Sequence, residues 1–389
     1  MTAPRRRLRL GMIGGGPGAF IGPVHRMAAR IDDRYEFVAG LLSADPVRAR
    51  MGGRALGLGD ERIYTDLATM MAAERSRADG VDAVAIVTPN RHHYAAAVAC
   101  LDAGISVICD KPMTTALADA RDLVARVART GLIFAVTYNY TGYPMVRQAR
   151  AMVAAGEIGA LRSVQAEYAQ DWLAEPLERT GHKQAAWRTD PELAGPGGAI
   201  GDIGTHAFNL AEFVAGTRVV ELAADLSRFV PGRALDDNAQ ILLRFAGDAR
   251  GMLWASQVAP GHANGLRLRV YGSRGALDWQ QERPNELRFA RLGQPIEIRT
   301  RGGPGLAGAG ANYGGRLPAG HTEGYLEAFA TLYAGAADAI GARLGWHDPP
   351  KNESLLPSVV EGARGVAFIE AAAASADRNS AWVQLQAVV

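Results

Sequence analysis

Residues Leu8 to Ile13 form a short apolar run that passes directly into Gly14-Gly15-Gly16-Pro17-Gly18-Ala19-Phe20-Ile21-Gly22-Pro23, after which a helical pattern continues through Met27 and Ile31. Strand, glycine-rich turn and helix in that order restrict the fold more than any other feature of the chain. Such a turn lets the backbone approach a pyrophosphate, whose charge the free N–H groups and the positive end of the helix dipole stabilise. Gly14-x-Gly16 fits the start of the dinucleotide fingerprint. The loop then runs longer than G-x-G-x-x-G, and Gly22 is the only later glycine that suits the third place. Gly14, Gly16, Gly18 and Ile21 are the candidate cofactor contacts of this turn.

The pattern that follows supports the same reading. Glu36 to Leu42, Val81 to Val87, Ile105 to Cys109 and Leu132 to Val136 read as strands, separated by helical segments such as Ala95 to Ala103 and Leu117 to Arg129. Alternation of this kind means parallel pairing through right-handed crossovers. Residues 1–137 are therefore expected to form a doubly wound Rossmann sheet with its ligand beyond the carboxyl ends of the strands, and residues 138–389 a substrate-binding and oligomerisation domain.

At the end of the second strand an acid would bond the adenosine ribose and repel a 2′-phosphate. Ser43 stands there, Asp45 lies two residues later, and Arg48 and Arg50 are close by. Ser43 and Arg48 are thus candidate ribose contacts, and NAD and NADP both stay open. Asp45-Pro46 also reads as a helix N-cap followed by proline at the first helical position. The turn Thr88-Pro89-Asn90-Arg91-His92-His93 follows a buried strand and faces the same crevice, although Thr88 serves equally as a cap.

Ile108-Cys109-Asp110-Lys111-Pro112 ends another buried strand on a lysine, and a lysine in low-dielectric surroundings can hold or pass a proton. Further on, Gly201-Asp202-Ile203-Gly204-Thr205-His206 places an acid and a histidine four apart. On a helix the two share a face, either as a solvated pair or as a carboxylate that supports an imidazole base. A zinc site lacks a convincing third ligand, so no metal is expected.

Taken together, the glycine turn, Thr88-Pro89-Asn90-x-x-His93, Asp110-Lys111-Pro112 and Gly-Asp-x-Gly-x-His resemble the Gfo/Idh/MocA family of nicotinamide-dependent oxidoreductases, in the same order and over nearly the whole chain. The resemblance implies an α/β Rossmann domain followed by an α+β domain with a large, mostly antiparallel, open-faced sheet. It also implies hydride transfer between NAD or NADP and a hydroxyl or ketone of a sugar, cyclitol or derivative. Lys111, Asp202 and His206 would be catalytic. Thr88, Pro89, Asn90, His93, Asp110 and Lys111 would line the cofactor. Two positions depart from the family's usual pattern: Asp110 replaces a glutamate, and Asn209 stands where an acid is common.

Segments suited to that sheet are Val164 to Ala169, Val219 to Leu226, Ala239 to Phe245, Gly251 to Ser256, Leu266 to Tyr271, Ala276 to Trp279 and Leu287 to Arg291. A sheet with one uncovered face needs burial, so a homo-oligomer, dimer or tetramer, is expected. Polar and aromatic residues suit a polyol, whose hydroxyls need hydrogen-bond partners and whose C–H faces suit rings. Tyr138, Trp172, Lys183, Trp187, Arg188 and His321 are the candidates beside the catalytic set. The glycine-rich stretch Arg301 to Gly315 reads as a mobile loop.

Composition narrows the partners. The chain has 389 residues, 48% hydrophobic, with 42 Lys and Arg against 40 Asp and Glu, a net charge of +2. That balance gives no broad attraction to nucleic acid or to an acidic membrane. The cluster Arg5-Arg6-Arg7 runs straight into the first strand, leaving no room for the apolar core of a signal peptide. With only Cys100 and Cys109, both in apolar contexts, a disulfide framework is not expected and the cytoplasm is the default compartment. Two rivals remain: a semialdehyde-type dehydrogenase with Cys109 as nucleophile, and a non-catalytic nucleotide sensor.

Overall fold

The computed structural model describes residues 6–306, 314–348 and 355–389. Arg5 and part of the glycine-rich stretch, 307–313, lie outside the described residues. Five parallel strands form the first sheet: β1 (Leu8–Gly14), β2 (Tyr35–Leu41), β3 (Ala83–Val87), β4 (Ser106–Cys109) and β5 (Phe134–Val136), in the order β2-β1-β3-β4-β5. β3 and β4 are buried at every position, as continuous apolar runs covered on both faces require. The order reverses between β1 and β3, and the glycine turn after β1 and the Thr88 turn after β3 flank that point. Asp45 is indeed an N-cap: its carboxylate accepts the Arg48 N–H at 2.7 Å, with Pro46 opening the helix Pro46–Ala55.

Nine strands form the second sheet: β6 (Leu161–Ala169), β7 (Val219–Ser227), β8 (Asn238–Phe245), β9 (Arg250–Ser256), β10 (Gly265–Gly272), β11 (Gly275–Gln280), β12 (Glu286–Arg291), β13 (Glu297–Thr300) and β14 (Val383–Gln384). Their order is β13-β12-β11-β10-β6-β9-β8-β7-β14, antiparallel except for the β6–β9 pair. The expected mostly antiparallel sheet is present, and two edge strands were not anticipated. Glu297–Thr300 is short and polar, and Val383–Gln384 spans two residues, so neither carries an alternating apolar signal. One face packs on the helix Thr205–Ala215, with Phe208, Leu210 and Val214 in the core. The other carries Leu242 and Met252, cross-strand neighbours that are 55% and 47% exposed.

Two C-terminal helices join the sheets. Tyr325–Arg343 returns to the first sheet, where Phe329, Tyr333 and Ile340 pack with Leu10, Met12 and Val24. Val359–Ala376 places Val366 and Ala367 in the core beside β4 and β5, and Phe368 and Ile369 in the core of the large sheet. The ring of Phe368 stacks on Phe208 at 4.5 Å. The cleft between the sheets is thus bounded by helices anchored on both sides. No helix among the described residues is long and apolar enough to cross a membrane.

Candidate active site

A cavity of about 800 Å³ runs from the glycine turn to the second sheet. At its glycine-turn end lie Gly14, Gly15 and Gly16, with Ile21, Ser43, Arg48, Thr88, Pro89, Asn90 and Asp110. Packing accounts for the turn's composition. A Cβ on Gly16 would collide with the Leu42 carbonyl, and one on Gly22 would collide with Gly15, so Gly22 does take the close helix-to-strand packing place. The helix Ile21–Ile31 has no acid in its first turn, so nothing there repels a pyrophosphate. The residues present therefore fit a dinucleotide.

Gly18 has φ +81° and turns the loop, but it lies outside the cavity lining. His93 also departs from its expected place. It is buried behind the turn, with one ring nitrogen 2.8 Å from the Pro112 carbonyl and the other 2.8 Å from the Thr88 carbonyl. It braces the two loops that carry Thr88 and Lys111 instead of lining the cofactor site. Asp110 is fixed by accepting the Thr137 hydroxyl at 2.7 Å and the Lys111 N–H at 3.0 Å. The Lys111-Pro112 peptide is cis.

Lys111 reaches across the cleft to Asp202, with Nζ 3.0 Å from Oδ1. The other carboxylate oxygen accepts Arg188 Nε at 3.1 Å and Gln257 Nε2 at 2.9 Å. Burial opposes ionisation of Asp202, but Arg188 and Lys111 outweigh it and hold the carboxyl well below its usual range. No hydrogen bond joins Asp202 to His206, so of the two kinds of support the spacing suggested, orientation or charge, the aspartate acts on the imidazole through charge. The local geometry explains why: Ile200–Gly204 is a π-helical turn running into the helix Thr205–Ala215, which alters the four-residue phase that regular α-helix would give. Asp236 anchors this segment, its buried carboxylate accepting the N–H groups of Gly198 at 2.7 Å and Ile200 at 2.8 Å. Burial pushes that carboxyl up to about 6 although both bonds oppose the rise.

His206 is 7% exposed and lies edge-on to Tyr140 and Tyr138, with ring centroids 4.8 Å and 5.8 Å away. Its Nδ1 is sealed without a partner among the described residues, while the residue lines the cavity. Burial lowers the imidazole well below 6.5; Lys111 adds to this and Asp202 opposes it. A neutral ring at neutral pH can accept a proton.

Of the expected substrate residues, Trp172, Lys183, Trp187 and Arg188 line the cavity. The Arg188 guanidinium lies over the Trp187 ring at 4.2 Å and near Trp172 at 5.9 Å. Tyr138 and His321 do not line it. Tyr138 is fully buried against Gly365, where a Cβ would strike its hydroxyl, and it meets the His206 ring edge-on. His321 is exposed, and its carbonyl accepts Arg301. Tyr325 and Phe329, one turn or two farther along, line the cavity instead. Tyr140, Tyr168, Gln170, Gln257 and Asn264 were missed, since neutral polar residues in a short turn, on a strand or just beyond strand ends carry no motif.

Neither cysteine touches the cavity. Cys109 is buried and its thiol is raised well above 9, while burial pushes Cys100 up to about 12, so neither supplies a thiolate.

The chain is similar over nearly all its length to known proteins. It is 35% identical to an uncharacterized oxidoreductase, YfiI, of Bacillus subtilis, with 97% of each chain covered. It shares 49% identity and a TM-score of 0.88 with the crystal structure of an oxidoreductase from Sinorhizobium meliloti, covering 97% of this chain and 100% of that one. With an inositol dehydrogenase homologue from Azotobacter vinelandii complexed with NADH and myo-inositol it shares 37% identity and a TM-score of 0.89, covering 97% and 98%. Residues 8–138 match the oxidoreductase family with an NAD-binding Rossmann fold, and residues 146–278 match the GFO/IDH/MocA C-terminal domain. With both halves matched in order, the chain belongs to the Gfo/Idh/MocA family of NAD-binding oxidoreductases.

Proposed function

We propose that the chain oxidises a secondary hydroxyl of a cyclitol or sugar with NAD or NADP, and reduces the corresponding ketone in reverse. The observation that carries this reading is that Lys111, Asp202 and His206 share one cavity with the glycine turn and with Trp172 and Trp187. Bound nicotinamide would accept the hydride. His206, neutral because it is buried, takes the hydroxyl proton as the C–H bond breaks and the carbonyl forms. Lys111 donates to the same oxygen and stabilises the charge that develops on it, and Asp202 holds Lys111 in place. Gly14, Gly16, Ile21, Thr88, Pro89, Asn90 and Asp110 would hold the cofactor. Ser43 and Arg48 would face the adenosine ribose. Asp45 is engaged in its cap, so the reading includes NADP as a cofactor.

Residues 1–137 and 138–389 are the proposed functional division, with the Tyr325–Arg343 helix crossing back. The exposed face around Leu242 and Met252 supports a homo-oligomer, and two unpaired buried cysteines suit a reducing compartment such as the cytoplasm. The test is a panel of inositols, aldoses and glycosides with NAD and with NADP, followed by nicotinamide absorbance. Cofactor binding without turnover on any of them would favour the sensor reading.

A further inference from the structure

One wall of the cavity is a chain of five side chains whose hydrogen bonds converge from both ends on a single oxygen, Asn264 Oδ1. An indole N–H can only donate, and Trp172 Nε1 gives its hydrogen to Gln170 Oε1 at 3.0 Å. The Gln170 nitrogen is therefore the atom that faces Asn264, and it donates to Oδ1 at 2.8 Å. Tyr168 donates its hydroxyl hydrogen to the same Oδ1 at 2.8 Å, so toward Tyr140 it accepts. With its oxygen committed twice, Asn264 has its amide NH2 on the remaining side. Burial raises the Tyr140 hydroxyl, and hydrogen bonding with Tyr168 and then Asn264 opposes that rise. The Asn264 NH2 has no other partner among the described residues and is not a sealed orphan, and Asn264 lines the cavity shared with Lys111 and His206.

We propose that Asn264 is a specificity-determining residue: its Nδ2 donates to a substrate oxygen away from the reacting carbon, and Trp172, acting through Gln170, fixes that polarity. The inference rests on the polyol reading above and deepens it. The cavity then reads one substrate group as a hydrogen-bond acceptor, whatever hydrogen that group carries. An acceptor removed at that place leaves a donor unpaired in a partly enclosed wall, which a site built for hydrogen bonding penalises. Trp172 is a positioning residue in this scheme. A ring without the N–H would free the Gln170 amide to turn over, and with it the Asn264 amide.

The experiment measures kcat/KM with NAD for myo-inositol and for its monodeoxy and monodeoxy-monofluoro analogues at each ring position. Fluorine accepts a hydrogen bond and cannot donate one. At one position the wild-type protein should lose about tenfold on removal of the hydroxyl and regain most of it with fluorine. In Asn264→Asp the wall offers an acceptor, so the hydroxyl compound should be retained and the fluoro compound should fall by a similar factor. Trp172→Phe should narrow the difference between deoxy and fluoro compounds. If Asn264→Asp does not fold, the wild-type and Trp172→Phe comparisons decide the matter. Deoxy and fluoro compounds that behave alike at every position, or a wild-type order in Asn264→Asp, would overturn the inference and leave the polyol reading standing. Absence of turnover with every polyol, including the sugars of the wider panel, overturns both.

Discussion

Lys111 Nζ lies 3.0 Å from Asp202 Oδ1, although the lysine ends a strand of the parallel sheet and the aspartate belongs to a turn packed on the antiparallel one. The bond spans the cleft, so the proposed catalytic group is assembled only when both halves of the chain are docked. Lys111→Ala should lower turnover by about 10² or more, because it removes the cation beside the oxygen that gains charge. The fold should survive, since Asp202 keeps Arg188 and Gln257 as partners and is not left as an unpaired buried charge. Steady-state rates and a thermal melt on the same preparation check both halves. Near wild-type turnover on a true substrate would remove Lys111 from the mechanism.

The same geometry sets the direction in which His206 responds to its neighbours. Burial and Lys111 lower its proton affinity, and Asp202 raises it. Asp202→Asn should therefore move the imidazole titration to still lower pH, and Lys111→Met should move it up. Ring-proton chemical shifts of His206 followed against pH read this directly, without relying on activity that both substitutions impair. In the wild-type protein the acid limb of kcat/KM should lie below pH 6.5, with activity lost as the pH falls through it, since the ring must be neutral to accept the proton. A limb above 6.5 would contradict the assignment.

Much of this site was legible in the sequence because its parts sit where regular elements end. The apolar run before Asp110-Lys111-Pro112, and the glycines after Ile13, state both the element and its terminus. What could not be read depended on packing between distant segments. His93 fits the cofactor turn by spacing, yet its ring is turned inward by the carbonyls of Thr88 and Pro112. Tyr138 follows the last parallel strand, but the bare backbone of Gly365 offers its ring a place away from the cavity. The π-helical turn at Ile200–Gly204 shows no periodicity over so few residues, so the four-residue spacing of Asp202 and His206 suggested a contact that the backbone does not make. Arg188 was a substrate candidate, and its bond to Asp202 became visible only once the short helix Lys183–Arg188 was placed.

Cofactor choice follows from the end of β2. Ser43 and Arg48 line the cavity, Arg48 Nη2 donates to the Pro17 carbonyl at 3.2 Å, and the nearby acid, Asp45, is occupied in capping the helix. No carboxylate at that place repels a 2′-phosphate, and a guanidinium is at hand to pair with one. The protein should accept NADP as well as NAD. Arg48→Ala should raise the KM for NADP about tenfold more than that for NAD, and Ser43→Asp should shift the ratio of kcat/KM values toward NAD. Measured constants for both cofactors with one substrate decide it; an unchanged ratio in both variants would place the ribose elsewhere.

Away from the cleft, His25 makes folding stability depend on pH. It is fully buried between the glycine-turn helix and the helix Tyr325–Arg343, with one ring nitrogen 2.9 Å from the Tyr333 hydroxyl. Burial lowers its pKa to about 4; the charge of Asp110 opposes this, while Arg26 and His93 add to it. In the unfolded chain the same ring titrates near 6.5. Above that pH neither state holds the proton, so the stability associated with His25 is fully present. As pH falls from 6.5 toward 4 the unfolded chain binds a proton that the folded protein refuses, and stability is lost. The cost is about 2 kcal/mol at pH 5 and levels off at about 3 kcal/mol below pH 4. Urea melts at pH 7.5 and pH 5 measure the difference. His25→Gln, which keeps a hydrogen-bonding group toward Tyr333, should be less stable at pH 7.5 yet lose about 2 kcal/mol less than the wild type on acidification. Equal losses in the two proteins would show that the proton is taken up elsewhere.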